Sequence, residues 1–179
     1  SIAAVALMHA MDNVIRTYDY SYPDNKPSYS NFYTHISGLK IDGNNLAKTG
    51  IFVYQALHSI VDYNQIFNVE NGISIYGYGE LDIRNNVIKC SKKGIIMTSG
   101  GDSLLEKNDI FLDDNAIGVD MTAYSGSTLI NRNTFTPTYA NNPDHIGLNR
   151  TIGVNIYNGD WSDAPATTGP IHISNNSFD

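Results

Sequence analysis

Asp120 and Asp160 are the carboxylates, and Tyr54, Tyr76, Tyr157 and Trp161 the aromatic side chains, whose types and spacing could carry chemistry in this chain. Two carboxyl groups about 5 Å apart can cleave a glycosidic bond with retention, and two held roughly 6.5–9.5 Å apart with inversion. Tyrosine and tryptophan faces stack on sugar rings while their O–H and N–H groups hydrogen-bond to hydroxyls. Asp144 and Asp163 are further acids in the same part of the chain. Other chemistries find less to work with. His35, His58, His145 and His172 show no metal-ligand spacing, and Asp113-Asp114-Asn115 reads as a turn, so neither a metal nor another cofactor is expected. No Ser/His/Asp order and no phosphate-cradling glycine loop stands out. Cys90 is the single cysteine, which excludes an intrachain disulfide. A net charge of -7 argues against nucleic acid and against anionic membranes as partners. No apolar run approaches the length of about 18 residues that a membrane span requires.

The elements that position these residues follow from a repeat. Asn-x-[Ile/Phe] recurs at Asn64, Asn86, Asn108, Asn133 and Asn176, with spacings of 22, 22, 25 and 43 residues. Three positions before each asparagine stands an apolar residue: Val61, Ile83, Leu105, Ile130 and Ile173. Six positions after the Ile or Phe, in three coils, a small residue opens an apolar-x-apolar unit, as in Gly72-Ile73-Ser74-Ile75, Gly94-Ile95-Ile96-Met97 and Ala116-Ile117-Gly118-Val119. Each coil of about 22 residues therefore holds three short stretches that alternate at period two, the mark of a strand with one buried face. A helix would need apolar residues at i, i+3, i+4 and i+7, which the coils lack. Charged residues are only 16% of the chain, and the Asn, Ser, Thr and Tyr that replace them suit strands and turns. The expected fold is all-β: a right-handed, single-stranded parallel β-helix with three parallel sheets. Asparagines at the same turn of successive coils are expected to hydrogen-bond one another in a column.

The expected organisation is an irregular N-terminal segment or cap over 1–33, with coils over 34–179. Asp179 falls in mid-coil without a capping element, so the chain is expected to be truncated at that end. Insertions at 136–152 and 158–169 interrupt the period.

Ile36-Ser37-Gly38-Leu39-Lys40-Ile41-Asp42-Gly43-Asn44-Asn45, followed by Gly-Ile-x-Ile coils and Asn-Asn-x-Ile turns, resembles the pectate-lyase-type β-helix superfamily, and within it phage tailspikes and capsule depolymerases. The resemblance covers roughly 34–179. It implies a polysaccharide substrate, an extracellular or virion-surface location, and room for a homotrimer. It also implies that the sugar chain lies along the first sheet, here 51–54, 73–76, 95–98, 117–120 and 154–157, with both insertions flanking it. Two outward columns are expected there: Phe52, Ser74, Ile96, Gly118 and Asn155 in one, and Tyr54, Tyr76, Thr98, Asp120 and Tyr157 in the other. On this reading Tyr54, Tyr76, Tyr157 and Trp161 bind sugar and Asp120 and Asp160 are the candidate acids of a glycoside hydrolase. A glycan-binding adhesin or fibre segment is the alternative. A lyase or C5-epimerase ranks third, because the columns hold no Lys or Arg to abstract a proton. On the second sheet Asp62, Arg84 and Glu106 are expected to form a surface ion-pair ladder.

Overall fold

The computed structural model describes residues 3–4, 11–17, 31–124, 126–138, 151–157 and 170–178. All of its regular elements are β-strands, and every strand pairing is parallel. Successive coils lie flat on one another as a parallel β-helix. Three faces repeat. The second face is a six-stranded sheet running from His35–Ser37 through Ile60–Asp62, Leu81–Arg84, Ser103–Glu106 and Thr128–Asn131 to Ile171–Ser174. The third face carries Lys40–Asp42, Asp109–Leu112, Thr134–Pro137 and Ser177–Phe178, and the first face carries Ala47–Leu57, Ile117–Tyr124 and Ile152–Tyr157.

The third and first faces are not separate sheets. Gln65–Gly79 and Val87–Gly100 run through the corner between them as single bent strands, with register shifts between Ile88 and Cys90 and between Cys90 and Lys93. Hydrogen bonding thus continues around this corner, so the three expected faces form two sheets. Parallel pairing also extends before residue 34: Ala3–Ala4 pairs with Lys40 and Ile41, and Ile15 pairs with Ile51.

Inward positions repeat column by column. Ile51, Ile73, Ile95 and Val119 line the first face, Ile41, Ile66, Ile88, Ile110 and Phe135 the third, and Val61, Ile83, Leu105 and Ile130 the second. All are buried in one continuous cluster, each worth roughly 1.5–3 kcal/mol of transfer free energy.

Asn64, Asn86, Asn108 and Asn133 form the expected column and are fully buried. The Asn86 Oδ1 accepts from the backbone N–H of Asn64 at 3.1 Å and from its Nδ2 at 3.0 Å. The Asn86 Nδ2 donates to Asn108 Oδ1 at 2.9 Å and to the Val61 carbonyl at 2.9 Å. Each amide therefore ties its own coil to the one before and the one after. The pattern repeats at Asn108 and Asn133 and ends on Asn176, while the backbone N–H of Leu39 takes the position that asparagine lacks in the first coil. The residue before each ladder position has positive φ: Gly38, Tyr63, Asn85, Lys107, Arg132 and Asn175. A left-handed residue turns the chain sharply enough to aim the asparagine inward.

The corner that opens the first face is a column of glycines: Gly50, Gly72, Gly94, Gly118 and Gly153. A Cβ on Gly94 would lie 2.5 Å from the Gly118 carbonyl oxygen and 2.6 Å from Ile110 Cγ2. These glycines are there because stacked backbone and the third-face Ile and Phe side chains take up the space.

Candidate functional site

Outward residues of the first face are set by the register. Tyr54, Tyr76, Thr98, Thr122 and Tyr157 form one column. Phe52, Ser74, Ile96, Asp120 and Asn155 form the column beside it. Asp120 thus stands one column away from its expected place, and Thr122 occupies the tyrosine column instead. The cause is the turn at 113–115. Ile95 follows Ile88 by seven residues, but its equivalent Val119 follows Ile110 by nine. The two additional residues make Gly118, not Ala116, the small residue at the corner.

Asp120 is only 6% exposed. Its Oδ2 lies 2.5 Å from the Lys93 ammonium, and its Oδ1 accepts a 2.7 Å hydrogen bond from Asn155 Nδ2. Lys93 comes from the preceding coil and Asn155 from the following one, so both carboxylate oxygens are engaged across three coils. Lys93 was not legible as a groove residue, because its strand position belongs to the corner and only its length brings the ammonium to Asp120. Asp160, Trp161, Asp144, Asp163 and His145 lie outside the described residues.

The Tyr54 and Tyr76 rings are parallel to within 2°, with centroids 5.4 Å apart. The two rings therefore stack across adjacent coils. Tyr76 is 43% exposed and Tyr157 57%. Thr122 Oγ1 donates to Thr98 Oγ1 at 3.2 Å between them.

A second concavity went unseen in the sequence. At the corner between first and second faces an open groove of about 570 Å3 is lined by Tyr33, His58, Glu80, Asp82, Asp102 and His172, with Ile60, Leu104 and Leu129 as apolar lining. Tyr33 stacks on His58 with centroids 5.2 Å apart, His58 Nδ1 is paired with Glu80, and Asp102 accepts from the Ser127 backbone N–H at 2.6 Å. Glu80 and Asp102 sit on consecutive coils, since the Leu81 N–H donates to the Asp102 carbonyl. These are turn positions, where the alternation that betrays strands is absent.

The expected ion-pair ladder on the second face is partly formed. Asp62 lies 2.8 Å from His35 Nε2 and 3.7 Å from Arg84 Nε. Glu106 is served instead by Asn131, at 3.1 Å, and by Lys107 and Arg132 at 3.9 Å. Burial pushes the Asp62 carboxyl up, but hydrogen bonds from Ser37 and His35 and the charges of His35 and Arg84 outweigh it and hold it below its ordinary 3.8. A depressed carboxyl stabilises the fold fully above the unfolded value and loses that contribution as pH falls through the folded one. The stability difference between the parent and Asp62→Asn is therefore expected to shrink as urea unfolding is repeated from about pH 5 to about pH 2.5. A difference constant across that range would contradict it.

The fold and this site define a class: a parallel β-helix with an asparagine ladder, a buried aliphatic core and an open face bearing tyrosines. Residues 4–178 match the family described as periplasmic copper-binding protein (NosD), and the chain belongs to that family. The match supports the parallel β-helix part of the resemblance and gives no support to its pectate-lyase or tailspike part. The description is of a periplasmic protein, in agreement with a location outside the cytoplasm. No curated protein and no solved structure matches the chain.

Proposed function

We propose that this NosD-family β-helix binds a polysaccharide along its first face, outside the cytoplasm. The observation that carries the reading is the in-register, solvent-facing tyrosine column, with parallel Tyr54 and Tyr76 rings and an exposed Tyr157. Two parallel aromatic rings one coil apart, with a third exposed ring further along the axis, suit a polymer of repeating rings. Tyr76→Ala is expected to weaken retention in affinity gels cast with polysaccharide by about tenfold, which corresponds to about 1.4 kcal/mol. Migration equal to that of the parent chain would sink the proposal.

Copper, named in the family description, does not fit the described residues. Copper sites draw on thiolate, thioether and imidazole donors. Cys90 is buried, and burial pushes its thiol up to about 12. Met97 and Met121 lie within the core, His35 and His58 are paired with carboxylates, and His172 is exposed in the corner groove. Among the described residues no group of three or more His, Cys, Asp or Glu is gathered to hold a metal ion.

Glycoside hydrolysis is the second reading. Asp120 with Asp160 was the expected pair, and the full engagement of Asp120 by Lys93 and Asn155 favours a positioning role over proton transfer. The corner groove offers another pair of carboxylates, Glu80 and Asp102 on consecutive coils, each already held by a polar partner, Glu80 by His58 and Asp102 by the Ser127 backbone N–H. New reducing ends released by the parent chain and abolished in Glu80→Gln or Asp102→Asn would place hydrolysis in that groove. Loss only in Asp120→Asn would place it on the first face, and no release by the parent would remove the reading.

A further inference from the structure

The tyrosine column is not continuous. Between Tyr76 and Tyr157 two coils present Thr98 and Thr122 instead. Tyr76 and Tyr157 are therefore three coil rises apart, about 14 Å at the usual strand spacing. The short threonines form a sunken floor, and the two exposed rings stand as walls at its ends. A single sugar ring cannot touch both walls, whereas a short run of linked rings laid along the solenoid axis can.

The floor suits hydroxyls. Thr122 Oγ1 donates to Thr98 Oγ1, which leaves the Thr98 hydroxyl proton to donate above the sheet and Thr122 lone pairs to accept. Sugar hydroxyls do both. Charge narrows the class further. Lys92 and Lys93, on the strand that carries Thr98, are each matched to a carboxylate, Lys92 to Glu70 at 2.8 Å and Lys93 to Asp120 at 2.5 Å. The floor thus meets no unmatched lysine from the first-face part of that strand to attract a uronate or a sulfate, Lys89 standing on the third face beside Phe111, and the chain as a whole carries -7. Ile96 borders the floor between Ser74 and Asp120, adding an apolar edge for the C–H face of a ring.

We infer that this threonine step is a subsite for an uncharged oligosaccharide segment longer than one ring, clasped between Tyr76 and Tyr157. The inference rests on the first-face reading and adds to it the length and charge of the ligand. Thr98→Tyr tests it without threatening the fold. Tyrosine suits an outward strand position, and it continues the stack that Tyr54 and Tyr76 already make.

Binding is read by calorimetry with neutral gluco-, manno- and xylo-oligosaccharides from the monosaccharide to the hexamer, and with matched uronic-acid oligomers. Affinity is expected to be negligible for monosaccharides and to rise sharply once a segment reaches both walls. Thr98→Tyr is expected to lose at least tenfold, while its unfolding midpoint stays that of the parent. Parental affinity in Thr98→Tyr, equal affinity for monosaccharides, or preference for the uronic-acid oligomers overturns the subsite, and polysaccharide retention that still depends on Tyr76 then leaves the first-face reading standing. Retention indifferent to Tyr76→Ala overturns both.

Discussion

Asn108→Leu is expected to lower the unfolding free energy by about 4 kcal/mol. Leucine keeps the volume and removes the amide. The Asn86 backbone N–H and Nδ2 would lose their acceptor at 3.1 and 2.9 Å, and the Ile83 carbonyl would lose its donor at 2.9 Å. Leaving a buried polar group unsatisfied costs about 1–3 kcal/mol, and the Asn86 backbone N–H and the Ile83 carbonyl both lose a partner here, while Asn86 Nδ2 keeps the Val61 carbonyl. The same change at Asn176, which is half-buried, should cost far less because water can replace the lost bonds. Urea unfolding followed by circular dichroism distinguishes the two. Equal midpoints for the parent and Asn108→Leu would show that the ladder holds no net stability.

Gly94→Ala should follow, at about 3 kcal/mol. Its added methyl meets the Gly118 carbonyl oxygen at 2.5 Å and Ile110 Cγ2 at 2.6 Å. The first is backbone fixed by the next coil and cannot turn aside, so the coils must separate locally and lengthen their hydrogen bonds. Gly79→Ala is the matched control, since its new methyl would meet only Leu57 Cδ2, at the end of a side chain that can rotate. Comparable losses at both positions would mean that backbone crowding does not explain the glycine column.

The features most legible in the sequence are those that repeat. Asn64, Asn86 and Asn108 recur at constant spacing because a ladder works only if every coil offers the same amide at the same height, and the aliphatic columns recur for the same reason. Asp120 was misplaced by one column because a turn can take up two residues without disturbing the strands it joins, and spacing alone does not say which residues those are. Its partner Lys93 lies at the corner of the preceding coil, and only the length of its side chain brings it to Asp120. The corner groove was invisible for a different reason: Glu80 and Asp102 sit in turns, whose residues answer to backbone angles and not to alternation. Even those angles leave a faint trace. Gly38, Asn85 and Asn175 are natural choices for a left-handed position, but Tyr63, Lys107 and Arg132 are not, and they adopt it because the asparagine that follows is anchored on both sides.

The bonds from asparagine to asparagine all point one way. Every Oδ1 faces the preceding coil and every Nδ2 reaches toward the following Oδ1. The column is therefore a vector, with amide dipoles adding head to tail through the interior. One terminus of such a row always offers an acceptor and the other a donor, so its two ends call for chemically different neighbours. Coils can be appended only with the sense of the chain preserved, and two of these solenoids cannot join head to head through their ladders.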